Sequence, residues 1–224
     1  MPFDYPHVQR YEVDFDDLHL YLNQNYKLNF EYFEKWLDGW IRVLKNAEVD
    51  TQKQIDNLLE KGIYAFEVFQ QDLHFGNITF KFNFIINIAD DFVDRKKPKT
   101  SKFKYKDFRE EIAWAQTTDS PTKPLTQPIY LVWYPMENSN YLVIDGNHRL
   151  SQLLAKKQKE IQGILIEPNH VIDENILLFS VEKAMYTFLV EANFMRIEIK
   201  KGQHPHKLLF DSSFINSAFK VFNK

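Results

Sequence analysis

The sequence contains no cysteine. Disulfides are therefore excluded, and so is any chemistry that passes through a thiolate. It holds no uninterrupted apolar run of the ~18 residues that a membrane-spanning helix needs. Its opening, MPFDYPHVQRYEVDFDD, lacks the basic stretch followed by an apolar core that marks a secretory signal. These absences lead to the expectation of a cytoplasmic protein with no membrane span. A basic excess is missing too. The 28 Lys and Arg residues against 31 Asp and Glu leave a formal charge of -3, whereas nucleic-acid-binding domains are often strongly basic.

Aromatic residues are abundant, with 20 Phe and 11 Tyr. Such rings fill a core, line a groove or form a partner surface, and core packing is the expected use. The apolar share of 44% and charged share of 26% are those of an ordinary globular protein. A chain of 224 residues suffices for one sizeable core, or for one domain with a substantial extension.

Periodicity predicts an organisation. In 30–46, Phe30, Phe33, Trp36, Leu37, Trp40, Ile41 and Leu44 recur at spacings of three and four, the signature of a helix with one apolar stripe. Asp50 or Thr51 is expected to cap a second helix that runs to Lys61 and stops at Gly62. The next segments read as strands joined by a turn at Gly76-Asn77, with 85–92 open to a helical reading. RKKPKTSK, 95–102, has linker composition. A short helix is expected over 105–116, and TTDSPTKPLTQP is a proline-rich loop. IYLVWY and YLVID then read as strands, GNHRLSQLLAKK as a helix and IQGILIEP as a third strand. The helical pattern returns over 173–196.

The chemistry concentrates where YLVID meets GNHRL. Gly146 permits a sharp bend and a close approach to the backbone. A helix starting there presents unpaired N–H groups and the positive end of its dipole, which favour an anion. Asn147 and Ser151, four residues apart, share a helical face. Arg149 can contact a phosphate in bidentate fashion. His148, with its near-neutral pKa, can bind phosphate or move a proton. Asp145 can bind magnesium, orient His148 or pair with Arg149. A plain structural account is equally open: Asp145 caps the helix, Arg149 neutralises it and His148 sits at the surface. The glycine spacings of a P-loop or of a dinucleotide fingerprint are not present.

The run PLTQPIYLVWY, YLVIDGNHRLSQLLAKK and IQGILI resembles the ParB/sulfiredoxin superfamily over about residues 105–167. Its Asp145-Gly146-Asn147-His148-Arg149 element is most similar to that of the free-serine-kinase branch. The resemblance implies an α+β fold: a ParB/sulfiredoxin-like mixed-sheet core over 103–170 within a single domain 1–224. The additions are an aromatic helical and strand extension over 1–94 and a helical one over 171–224. It also implies nucleotide binding, with Gly146, Asn147, His148, Arg149 and Ser151 around the phosphates of ATP, ADP or CTP, and Mg2+ at Asp145. Sulfiredoxins carry a catalytic cysteine where this chain has Asn147, so their chemistry is excluded. The helix-turn-helix domain and second phosphate motif of partition proteins find no match in the remaining residues.

The expected function is then a nucleotide-dependent phosphotransferase or nucleotide hydrolase. His148, Asp145 and an upstream carboxylate, Glu111 foremost among Glu110, Glu111 and Asp119, would carry the chemistry on an unidentified small-molecule or protein acceptor. The alternatives are a non-catalytic nucleotide-binding or regulatory module, a ParB-like nucleic-acid-associated protein, or a protein-interaction domain with the possibility of a homodimer. A nucleic-acid partner would require the lysines of 96–106 to join Arg149 and Lys156 in one basic surface. His204 and His206 are a weak metal pair without a convincing third ligand. Trp133 and Tyr141 could stack on a base, although core packing is the expected role.

Overall fold

The structure is a computed structural model and describes residues 12–61, 66–136 and 139–215. In chain order its elements begin with α1 (Phe15–Asn25), α2 (Phe33–Lys61), β1 (Val68–Phe75), β2 (Ile78–Ile85) and α3 (Ile86–Lys96). Then come β3 (Ser101–Lys104), α4 (Asp107–Glu110), β4 (Ile112–Ala113), β5 (Ile129–Met136) and β6 (Ser139–Asp145). The chain continues through α5 (Asn147–Ala155), β7 (Glu160–Ile166), α6 (Pro168–Asp173), α7 (Ser180–Lys200) and α8 (Pro205–Asp211). This is a mixed α+β architecture, with a sheet and flanking helices. No helix among the described residues is long and apolar enough to cross a membrane. The described residues form two compact units, one of 66–70, 83–136 and 139–177, the other of 12–61, 71–82 and 178–215. The segment 103–170 lies within the first, whereas 1–94 contributes to both.

The first unit is built on a five-stranded sheet in the order β3-β7-β5-β6-β4. β5 and β6 form an antiparallel pair, and β7 returns parallel to β5 after the α5 crossover. β4 runs parallel to β6 at one edge and β3 antiparallel to β7 at the other. β5 is buried on both faces, so its sequence is a continuous apolar run rather than an alternating one. Ile129 and Leu131 pack with Val143, Leu150 and Ile161 beneath α5. This packing fixes where α5 begins, at the end of β6.

The second unit has an aromatic core built largely from its helices, and it buries several of the rings that drew attention in the sequence. Trp36 and Trp40 of α2 pack against Phe188 of α7, with ring centroids 5.4 and 5.8 Å apart. The buried carboxylate of Glu191 closes this core. Oε1 accepts hydrogen bonds from Nε1 of Trp36 and of Trp40 and from the Ser213 hydroxyl, and Oε2 accepts from the Phe214 N–H. Four donors therefore converge on one carboxylate that has no ion-pair partner among the described residues, and they fasten 213–215 to α2 and α7. Ile215 lies over Gly39, where a Cβ would stand 2.8 Å from its Cδ1. That close approach explains a glycine inside α2.

Several elements differ from the sequence-based expectation. α2 is one continuous helix, not two. Thr51 does not cap: its hydroxyl donates back to the Ala47 carbonyl and accepts from the Val181 N–H, and no glycine or proline interrupts 40–61. The expected stop at Gly62 lies outside the described residues. α1, which had no assigned structure, starts at an Asp14 cap that accepts from the N–H groups of Asp16 and Asp17. The helix expected over 105–116 is only one turn. Its second half becomes β4, because Ile112 and Ala113 pair with Tyr141 and Leu142. The linker after α3 ends in β3, once left-handed Lys97 (φ 48°) has closed the helix. The helix expected over 173–196 is broken at 174–179, where Asn175 is left-handed and the Ile176 carbonyl accepts from the Ile85 N–H. The hairpin with its Gly76-Asn77 turn, β5, β6, α5 and β7 stand where the sequence puts them, although 137–138 of the β5–β6 turn lie outside the described residues.

Replacing Glu191 by Ala would strand two buried indole N–H groups and a hydroxyl. Each unsatisfied buried donor costs about 1–3 kcal/mol, so urea unfolding is expected to show a loss of about 3 kcal/mol or more. A loss below about 1 kcal/mol would contradict the clamp.

Candidate functional site

Gly146 is the hinge of the junction. Its φ of 93° is left-handed, and a Cβ there would meet Ile129 Cγ2 at 2.6 Å and Arg149 Nη2 at 2.8 Å. The space that the glycine leaves open is thus filled by two of the protein's own side chains. α5 begins without a side-chain cap. Asp145 does not serve as one: its Oδ2 accepts from Arg149 Nη2 at 3.0 Å and from Lys123 Nζ at 3.3 Å.

Arg149 is 3% exposed. Besides Asp145, its Nη2 donates to the Pro128 carbonyl at 3.2 Å, while the buried Nε has no acceptor among the described residues. The guanidinium therefore ties the start of β5 to the end of β6 and the first turn of α5. It contributes no charge to a basic surface with the lysines of 96–106. Removing one member of so buried a pair leaves the other uncompensated, which is costly.

Asn147 is buried as well. Its Oδ1 accepts from the Ala115 N–H at 2.9 Å and its Nδ2 donates to the Val143 carbonyl at 3.1 Å. The side chain staples the segment after β4 to β6. Ser151 continues the seam: its hydroxyl donates to the Asn147 carbonyl and accepts from the Thr117 N–H. His148 alone of the motif is exposed, with Nδ1 2.8 Å from the Thr117 hydroxyl. The structure brings Asp145, Gly146, Asn147, His148, Arg149 and Ser151 together, and gives Asn147, Arg149 and Ser151 partners within the protein.

Glu111 is not among them. It follows α4, and its carbonyl accepts from the N–H groups of Asn140 and Tyr141 at the other end of β6. Tyr141 and Asp145 are four residues apart on β6, about 13 Å at the rise of a strand. Trp133 and Tyr141 are cross-strand partners on β5 and β6. His204 precedes α8, and among the described residues no group of three or more His, Cys, Asp or Glu side chains could hold a metal ion.

Three residues that the sequence did not single out complete the junction. Lys123, from the proline-rich loop, reaches both Asp145 and Asp90 of α3, at 3.0 Å from Asp90 Oδ2. The Tyr130 hydroxyl donates to Asp90 Oδ1 at 2.9 Å. Lys123 is the one lysine in TTDSPTKPLTQP, held between prolines, and that was its only local signal. Asp90 and Tyr130 had none, because their partnership depends on packing α3 beside β5. Burial acts against the charge of Lys123, but the Asp145 and Asp90 carboxylates outweigh it and raise the ammonium's pKa. Burial, together with the charge and hydrogen bond of Asp90, pushes the Tyr130 phenol far above the ordinary tyrosine range. Lys123 occupies the position between two carboxylates that a shared divalent ion would need. The donor set therefore does not assemble a magnesium site, and nothing below depends on one.

Compared with protein-family models, curated proteins and solved structures, the chain shows no significant match. The ParB/sulfiredoxin resemblance rests on the motif and its strand–helix context alone.

Two outcomes are expected. Asp145→Ala leaves Arg149 buried beside an uncharged wall, and chemical denaturation should show a loss of about 3–5 kcal/mol; an effect near zero would contradict the pairing. Lys123 and Tyr130 both hold their protons more tightly when folded. The unfolded chain releases them first, so stability falls as pH rises above about 10. Tyr130→Phe should flatten that alkaline slope, measured as unfolding midpoint against pH, and an unchanged slope would contradict the assignment.

Proposed function

We propose that the chain carries a ParB/sulfiredoxin-like core and uses the β6–α5 junction to bind the phosphate of a nucleotide, as a binding module rather than a phosphotransferase. One observation carries this reading. α5 opens on a left-handed glycine with no side-chain cap and no acidic residue in its first turn, while Lys123 and the exposed His148 flank that opening. Uncapped first-turn N–H groups and the helix dipole attract an anion, and the Lys123 ammonium and the His148 imidazole add donors beside them. Arg149 has a different part from the one expected of it. It is a buried positioning residue that fixes Asp145 and the bend, and the phosphate meets backbone N–H groups, His148 and Lys123.

The restriction to binding follows from the carboxylates. Asp145 and Asp90 each face a cation, and Glu111 lies at the far end of β6. A general base must reach the proton that it removes, and the third candidate, Asp119, lines the neighbouring cleft with Thr117 and Ser151 rather than the opening of α5.

A charge-assisted hydrogen bond contributes about 1.5–3 kcal/mol, or about tenfold or more in affinity. Isothermal titration with nucleoside mono-, di- and triphosphates should detect binding by the wild type. Lys123→Met and His148→Ala should each weaken it about tenfold, and His148→Ala should leave the melting temperature near that of the wild type. Absence of binding by every phosphate compound, or full affinity in both variants, would overturn the proposal.

A further inference from the structure

Next to the junction is a cleft of about 420 Å³, within the size range of small-molecule sites. It shares two residues with the junction. Thr117 bonds His148 through its hydroxyl and Ser151 through its N–H, and Thr117 and Ser151 line the cleft. Two aromatic rings, two amides, the Thr118 hydroxyl and the Asp119 carboxylate make the rest of its character. Trp114 is held in place by a hydrogen bond from Nε1 to the Phe108 carbonyl. Tyr105 is 45% exposed, with no ring partner among the described residues. The side-chain amides of Gln116 and Gln152 also make no hydrogen bond among the described residues. Aromatic faces beside free amides form a surface for a planar heterocycle that carries both donors and acceptors on its edge.

We propose that this cleft holds the base of a nucleoside 5′-monophosphate, with adenine the base that it selects. The inference rests on the phosphate reading of the junction. Ser151 is one helical turn from Asn147, about 6 Å along the axis. That leaves the length of a sugar between a base in the cleft and a phosphate at the start of α5, with His148 and Thr117 alongside. Glutamine amides match the paired donor and acceptor of an adenine edge, and stacking on an aromatic ring strengthens the hold on a base without depending on its identity.

Isothermal titration of AMP, CMP and ribose 5-phosphate into wild type, Gln152→Ala and Tyr105→Ala tests the inference. Both substituted positions are at least partly exposed, and neither side chain makes a hydrogen bond among the described residues. The wild type should bind AMP at least tenfold more tightly than ribose 5-phosphate and more tightly than CMP. Each variant should lose that preference for AMP while keeping its affinity for ribose 5-phosphate. Equal affinity for AMP and ribose 5-phosphate, or AMP binding that neither variant weakens, would overturn the cleft and leave the phosphate reading standing. CMP binding as tightly as AMP would overturn the choice of adenine. No binding of any of the three would overturn both readings.

Discussion

The carboxylate of Asp145, almost out of solvent, holds the first unit's candidate site in shape. One of its oxygens receives both the Arg149 guanidinium and the Lys123 ammonium. Through Arg149 it fixes the first turn of α5 and the carbonyl that precedes β5. Through Lys123 it fixes the proline-rich loop, and beyond it Asp90 of α3 and the Tyr130 phenol. Two anions and two cations alternate along this chain, so little net charge is buried. A buried pair of this kind gives uncertain net stability when replaced as a whole, but breaking it from one side is severe. Its value to the fold is therefore positional: it sets where the backbone turns.

That division of labour alters the meaning of the Asp-Gly-Asn-His-Arg element. Gly146 is required because its φ is left-handed and Ile129 and Arg149 fill the space that a Cβ would take. Asn147 joins three stretches of backbone. The side chain left facing outward is His148, beside the uncapped start of a helix and the hydroxyl of Thr117. A motif that resembles five phosphate ligands is, in this arrangement, mostly a scaffold that presents one imidazole, one ammonium and a row of N–H groups.

What could be read from the sequence follows from range. Strands β5, β6 and β7 and helix α5 have strong local patterns, and their order was legible. So were the β1–β2 hairpin, from Gly76-Asn77, and the α2 stripe from Phe33 to Leu44. β4 was not, because two residues pairing with a distant strand leave no period of their own, and Tyr105 to Gln116 satisfies a helical spacing. The burial of Arg149 and the partnership of Lys123 with Asp90 were hidden for the same reason. They join residues from a helix, a loop and a strand end that only the fold brings together. Glu111 was attractive as an acid near the motif in sequence, yet strand direction puts it at the opposite end of β6. The resemblance to ParB/sulfiredoxin proteins supplied the idea of a phosphate, and the proposed site offers it a different set of donors.

The claim at the centre of this account is that the opening turn of α5 receives a phosphate. Backbone amide resonances report it most directly. On titration with AMP, followed by 1H–15N correlation spectra, the Asn147 and His148 amides should show the largest saturable shifts, moving downfield as they donate to the anion. If those two amides stay in place at concentrations where AMP is bound, or if no resonance responds, the junction is a structural bend and the account is wrong.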